Sequence, residues 1–333
     1  MNNKNKIKFK DISVVVQGAI FPDITYLTLL SIRKYLPNAK IILSTWQGSN
    51  LEKLEFDKLI LSKDPGGFQH SYYNEIKVNN VNRQILSTLN GIKAVETKYV
   101  MKIRSDFLLT GNSFLKFFNL YDSVESEFAL FKHKILACSY FSRSPNYVNL
   151  AYHPSDIAFF GHSVDLLNLF DINLMNKSDE FYIQQEFGWI RRYAPEQYIF
   201  LSCLKKNNKK VSLNNQLPMT KKQINFTERY FASNFIFLEW RLFNLKPPQK
   251  FYDYRKFDQF SCITYIEWKK LYYKYVTHKT CYFIGCDIER IKLNLILDYY
   301  SLLRFFAKLI TIFIIGKKNK NLRKKIRKKI TRN

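Results

Sequence analysis

The 333-residue chain is 47% hydrophobic and 24% charged, the composition of a folded protein with a substantial core, which excludes intrinsic disorder. Ten glycines and nine prolines are too few for collagen-like or low-complexity sequence, and no fixed-period repeat is visible. The formal charge of +26, from 53 Lys and Arg against 27 Asp and Glu, points to a polyanionic partner, and ten of the cations crowd into residues 317–332 with no acid among them.

The first ten residues are basic but run straight into a strand-like segment, without the apolar stretch and cleavage site of a signal peptide. Ile12–Gln17 reads as a first strand, Tyr26–Tyr35 as a helix, Lys40–Thr45 as a second strand and Lys58–Ser62 as a third. Asn80 suits the cap of a helix whose apolar Val81, Ile85, Leu89, Ile92 and Val95 recur every three or four residues, and Tyr99–Ile103 reads as a fourth strand. Such alternation predicts an α/β fold with a parallel sheet. From 112 to 200 the pattern loosens into a helix at Ser113–Tyr121, β-like runs at Phe128–Phe131 and Ile135–Phe141, and a helix at Val164–Phe170, which predicts a mixed-sheet second half. The Lys205–Lys210 run predicts a surface loop, and Glu239–Tyr275 is rich in aromatics without a readable period.

Residues 291–315 are strongly apolar but carry Lys292, Asp298, Arg304 and Lys308, so no charge-free stretch reaches the ~20 residues of a spanning helix. Arg304, Lys308 and Thr311 form a polar stripe opposite Phe305, Phe306, Leu309, Ile312 and Phe313, and the basic tail follows. That pattern predicts an interfacial helix on anionic lipid; the alternative is an amphipathic helix packed on its own domain. The five cysteines are odd in number, widely spaced and form no C-x-x-C pair, which argues against a disulfide framework or a zinc site and fits a reducing cytoplasm.

Ligands of an open parallel sheet bind beyond the carboxyl ends of its strands. Those ends read Gln17-Gly18, Ser44-Thr45-Trp46, Asp64-Pro65-Gly66-Gly67 and Arg104-Ser105-Asp106. Trp46 can stack on a base, Arg83 and Arg104 can grip phosphate oxygens in two-point contacts, and Asn82-Arg83-Gln84 stands near a helix N-terminus where a ligand can reach it. There is no G-x-G-x-x-G and no G-x-x-x-x-G-K-[ST], which disfavours Rossmann dinucleotide and P-loop chemistry.

The chain resembles the WavE-type lipopolysaccharide-synthesis family. The resemblance is carried by Val14-Val-Val-Gln-Gly18, Ser31-Ile-Arg33 leading to Ile41-Ile-Leu-Ser-Thr-Trp46, Asp64-Pro-Gly66, Asn80-Val-Asn-Arg-Gln84 and Tyr99-Val-Met-Lys-Ile-Arg-Ser-Asp106. His153-Pro-Ser-Asp156 with Phe160-Gly161, and Pro195-Glu-Gln-Tyr198, extend it, so that it spans roughly residues 11 to 205. It implies a GT-A-like, Rossmann-type mixed sheet flanked by helices; the C-terminal helical, basic extension lies beyond the resemblance and is read from the residues alone. Residues 1–205 are then the nucleotide-sugar-binding and catalytic part; beyond the resemblance, 206–290 are expected to continue it on the acceptor side and 291–333 to form an amphipathic, basic membrane-associating segment. On this reading Gln17, Gly18, Thr45, Trp46, Asp64, Asn82, Arg83, Gln84, Arg104 and Asp106 meet the donor.

GT-A enzymes usually hold Mg²⁺ or Mn²⁺ on a D-x-D pair at the end of the fourth strand, whereas here the triplet is Arg104-Ser105-Asp106. Either Asp106 holds the metal with water and phosphate oxygens, or Arg104 supplies the positive charge and no metal is needed. Asp156 and Glu196 are the candidates for the base that takes the acceptor's proton, although each also suits a helix cap or first turn. His153 is a candidate acceptor contact or an ordinary polar residue. The expected activity is glycosyl transfer from a nucleotide sugar to a lipopolysaccharide, lipooligosaccharide or capsule acceptor, by a peripheral enzyme on the cytoplasmic face of the membrane. Two rivals are a nonenzymatic polysaccharide-assembly factor, suggested by the incomplete D-x-D, and a nucleic-acid-binding protein. No nucleic acid is expected as a partner, because no recognition motif is present and the cations concentrate in one tail.

Overall fold

A strand rich in Val and Ile can be covered on both faces only inside a sheet, and Ile12-Ser-Val-Val-Val-Gln17 is buried at all six positions. The computed structural model describes residues 7–279, apart from 73–74, 147, 149, 186–187, 210, 212, 214–219, 249–250 and 252–260, and scattered positions beyond 279. In chain order its elements are β1 (Ile12–Gln17), α1 (Pro22–Tyr35), β2 (Lys40–Trp46), β3 (Lys58–Ser62), β4 (Phe68–Tyr72), β5 (Glu75–Asn79), α2 (Val81–Lys93), β6 (Tyr99–Arg104) and β7 (Leu108–Leu109). Then come β8 (Ile135–Cys138), β9 (Ala158–His162), α3 (Ser163–Phe170), α4 (Lys177–Glu180), β10 (Phe181–Gln185), β11 (Gly188–Arg191) and α5 (Pro195–Lys206). The last are α6 (Lys221–Asn234), β12 (Phe235–Leu238), β13 (Leu245–Lys246) and α7 (Tyr265–Tyr272), followed by a π-helical turn at Tyr273–Thr277.

Seven strands form one mixed sheet in the order β12-β8-β9-β6-β1-β2-β3. β6, β1, β2 and β3 run parallel, β12 runs parallel to β8, and β9 is antiparallel to both of its neighbours. Six strands therefore end at one edge while β9 alone begins there. The reversal delivers the residues preceding Ala158 to the edge where ligands of such sheets bind.

The layer over the sheet is set by α2, which packs on β1 and β2, with α3 and α5 beside it. Gly91 makes that approach possible: a Cβ there would fall 2.4 Å from Val15 Cγ1 and 3.1 Å from Ser44 Cβ. Val81, Ile85 and Ile92 of the predicted apolar stripe are buried. On the far side of the sheet order, α6 packs against β12 and α7.

Several expectations are corrected. The helix expected at Ser113–Tyr121 is a 3₁₀ turn over Ser113–Phe117, and Phe128–Phe131 is no strand but the end of a 3₁₀ turn at Ser126–Phe128. The run at Ile135–Phe141 leaves the sheet after Cys138, where Ser142 N–H turns back onto the Ser139 carbonyl at 2.8 Å. The first helix starts earlier than expected, with Pro22 at its first turn, and the Lys205–Lys210 loop begins only after Lys206. The aromatic region without a readable period contains α7, whose Trp268 is fully buried and donates Nε1–H to the Phe231 carbonyl at 3.2 Å. Tyr121 packs edge-on against Trp268 and Tyr272.

The interfacial helix expected at 291–315 and the basic tail fall largely outside the described residues. The positions that are described, among them Ile291, Leu295, Leu302, Leu309 and Phe313, are exposed. Among the described residues no helix is long and apolar enough to cross a membrane.

Candidate functional site

β1 ends in a turn that only glycine makes cheaply: Gly18 has φ +114° and donates its N–H to the Ser44 carbonyl at 3.1 Å. Beyond it opens a cleft of about 510 Å³ lined by Gln17, Gly18, Ala19, Phe21, Trp46, Asp64, Asn80, Arg83, Gln84, Arg104, Ser105 and Asp106. Eight of the ten expected donor contacts thus share one cavity. Thr45 and Asn82 do not line it. Thr45 donates to the Gly18 carbonyl at 2.8 Å, and Asn82 is tied to the Met175 backbone by two bonds, which spends both side chains inside the protein. Gln17 is held by Ser87, whose hydroxyl donates to its Oε1 at 2.6 Å, while Gln84 brings to the cleft a buried Oε1 with no hydrogen-bond partner among the described residues.

Both arginines of the cleft are gripped by carboxylates. Arg83 donates Nε–H and Nη2–H to the two oxygens of Asp64 at 2.8 and 2.7 Å, and Nη1–H to Asn80 Oδ1 at 2.8 Å. The Arg83 bonds hold the Asp64 carboxyl below its ordinary range, against partial burial, and the Gly66 N–H adds to the effect. Arg104 donates Nε–H and Nη2–H to Asp106 at 2.9 and 3.0 Å. Burial opposes the charge of Arg104, yet Asp106, with help from Asp156 and Glu196, holds its guanidinium above the ordinary value.

Behind Arg104 lies a nest of buried charge. Strand alternation puts Lys102 on the same face of β6 as Arg104. Lys102 is fully buried, its Nζ donates to the Asp156 carbonyl and lies 4.0 Å from the Asp156 carboxylate, and burial pulls it down to about 8 despite that acid. Asp156 arrives immediately before the reversed strand β9. Glu196 arrives in the first turn of α5, behind Pro195, where Gln197 Oε1 accepts the Ala194 N–H at 3.0 Å. Both acids line one small void with Phe159, Phe170 and Ile199. Burial and then the neighbouring Asp156 push the Glu196 carboxyl up to about 7, so it changes charge near neutrality. His153 Nε2 stands 3.5 Å from Glu196 Oε2, and burial, with Arg143 beside it, lowers the imidazole to about 3, so His153 is neutral at physiological pH.

The loop that carries His153 and Asp156 has unusual backbone. Phe141 and Tyr152 have φ of +65° and +55°, uncommon for bulky side chains, and between them Arg143 N–H donates to the His153 carbonyl at 2.9 Å. Left-handed residues of this kind cost about 1–3 kcal/mol each and collect at functional sites.

Sequence reasoning missed Lys102 and Arg143. A lysine on the inward face of an otherwise apolar strand was the readable sign of the first; Arg143 left none, since it reaches the site through a loop. It also missed Ala19, Phe21 and Asn80 as lining residues.

The acids do not fit a divalent cation. Both oxygens of Asp106 accept from Arg104 and both of Asp64 accept from Arg83, so an ion at either acid would lie against a guanidinium that repels it. Among the described residues no group of three or more His, Cys, Asp or Glu is placed to hold a metal ion.

What the arrangement offers is a cleft lined by two arginines, each paired with a carboxylate, with Trp46 and Phe21 in its wall, and nearby a carboxyl that can accept a proton near pH 7. A family model described as WavE lipopolysaccharide synthesis matches residues 12–295. The match runs past residue 205, where the sequence resemblance stopped, and takes in α6 and α7. No curated protein matches the chain.

Proposed function

The chain belongs to the WavE lipopolysaccharide synthesis family, and from that premise we propose that it is a glycosyltransferase that moves a sugar from a nucleotide-sugar donor to a lipopolysaccharide, lipooligosaccharide or capsule acceptor. The observation that carries this reading is the adjacency of two unlike sites. An arginine-lined cleft at the carboxyl edge of the parallel strands suits a diphosphate, and Arg104, which lines it, lies within electrostatic reach of the acid pair Asp156 and Glu196. Trp46 provides a flat face for the base and Gln84 an acceptor for a sugar hydroxyl. Glu196 takes the proton of the attacking acceptor hydroxyl, Asp156 keeps the Glu196 carboxyl basic enough to do so, and His153 lies on the acceptor side.

A panel of nucleotide sugars tests this by thermal unfolding. A donor that binds only the folded chain stabilises it by about 2.7 kcal/mol at a hundredfold excess over Kd, a shift of several degrees. A panel in which no nucleotide sugar moves the melting temperature would sink the transferase reading.

The same proposal places the enzyme at an anionic membrane surface on the cytoplasmic face, where a lipid-linked acceptor would be met. Its support is the juxtaposition of the apolar segment at 291–315 with the ten cations of 317–332. Each cation near such a surface is worth about 1 kcal/mol before screening. Deleting 317–333 is therefore expected to release the protein from anionic liposomes while leaving transfer to a small soluble acceptor intact, and added salt should release the full chain likewise. Equal sedimentation of both proteins, or indifference to salt, would remove the tail as an anchor.

A further inference from the structure

A transferase that breaks a sugar–diphosphate bond must neutralise the charge left on the leaving oxygen. Where the sheet edge carries a pair of open carboxylates, a divalent cation can do this. Here the residues at that position are arranged the other way round. Asp106 is 2% exposed and both of its oxygens are bonded to Arg104. Across the cleft Asp64 is bound to Arg83 in the same two-point manner, and its Oδ1 also accepts the Gly66 N–H at 2.9 Å. A metal ion at either acid would sit beside the guanidinium already bonded to both of its oxygens, so its attraction to one carboxylate would be offset by repulsion from the arginine.

The arginines, by contrast, keep capacity to spare. A guanidinium has five N–H donors. Asp106 engages two of those on Arg104, and Asp64 with Asn80 engages three of those on Arg83. The remaining donors belong to two planar, rigidly held cations lining one cleft, a geometry suited to bidentate contact with phosphate oxygens. Each acid fixes the plane of its arginine through two bonds and so acts as a positioning residue.

We propose that Arg83 and Arg104 themselves neutralise the departing diphosphate, and that this site binds and releases it without a divalent cation, Asp64 and Asp106 serving to aim the two guanidinia. The inference rests on the transferase reading above. In that reaction the bond between the anomeric carbon and the diphosphate oxygen breaks with its electron pair staying on the oxygen, which the arginines stabilise. The acceptor oxygen forms the new bond to the anomeric carbon and its proton passes to Glu196.

Calorimetric titration of the full chain with inorganic pyrophosphate, in EDTA and separately with Mn²⁺, tests it. Binding is expected in EDTA, with no more than a twofold gain from Mn²⁺. Arg83→Ala and Arg104→Ala should each weaken it tenfold or more, and Arg104→Lys, which keeps the charge but not the fork and guards against misfolding of the alanine variant, should weaken it severalfold. The Asp106→Asn variant separates the two roles: weakening a counter-ion that aims Arg104 should lower pyrophosphate affinity to the same modest extent in EDTA and with Mn²⁺, whereas removing a metal ligand lowers only the binding that Mn²⁺ supports. Binding that appears only with Mn²⁺ and is lost in Asp106→Asn overturns the proposal, as does an absence of binding under both conditions. The transferase reading fails separately, if pyrophosphate binds through the arginines but no nucleotide sugar does.

Discussion

Glu196→Gln is expected to cut glycosyl transfer by about two to four orders of magnitude, the usual worth of a positioned general base, with the fold intact. The pH dependence carries the sign. A base works deprotonated, so with the carboxyl near 7 the wild-type rate should climb through neutrality and level off above it, and the glutamine variant should lose that limb. Stability should move the opposite way. The folded chain keeps the Glu196 proton from the ordinary 4.5 up to about 7, while the unfolded chain has already released it. Folding stability therefore falls as pH rises through that window, by an amount on the order of 2–3 kcal/mol. Glu196→Gln should then melt above the wild type at pH 8, with the difference closing by pH 5. An unchanged pH–rate profile in the variant would take Glu196 out of the proton transfer.

The largest effect on stability is expected at Lys102. Lys102→Met fills most of the same space but leaves the Asp156 carboxylate, 5% exposed, without the cation that faces it. Removing one partner of a buried pair typically costs about 3–5 kcal/mol, while replacing both with apolar groups of similar size is often neutral. Urea unfolding should show that loss in Lys102→Met and recovery of most of it in the double variant Lys102→Met/Asp156→Leu, which should be inactive. If single and double variants are equally destabilised, Lys102 is held by packing against Phe170 rather than by its pairing with Asp156.

The first hundred residues were legible because their signals are local. Apolar runs of five to seven residues and the three-and-four spacing of Val81, Ile85 and Ile92 state burial directly, and the polar residues that end β1, β2 and β6 mark the ligand edge once the strands are parallel. Other elements were missed where that signal was faint or unread, the first of them within those hundred residues. The β4–β5 hairpin is mostly polar. The helices α6 and α7 show little periodicity, yet each is announced by a capping box, Thr220 with Gln223 and Thr264 with Glu267, whose hydrogen bonds are made.

Alone, the sequence determined the α/β class, the parallel half of the sheet, the strand ends that line the cleft and the concentration of positive charge in the tail, because each is written in residues adjacent along the chain. Only the tertiary structure decided which charges face one another. Asp156 reaches the ligand edge because β9 runs against its neighbours, and Glu196 reaches it because α5 starts there; their shared burial, which lifts the Glu196 carboxyl to about 7, joins residues 40 positions apart. The pairing of Arg83 with Asp64 and the closing of Asp106 by Arg104 were likewise decided by geometry. A carboxylate's role depends on whether its oxygens point at a cation or at open space, and that direction is fixed by packing rather than by residue type.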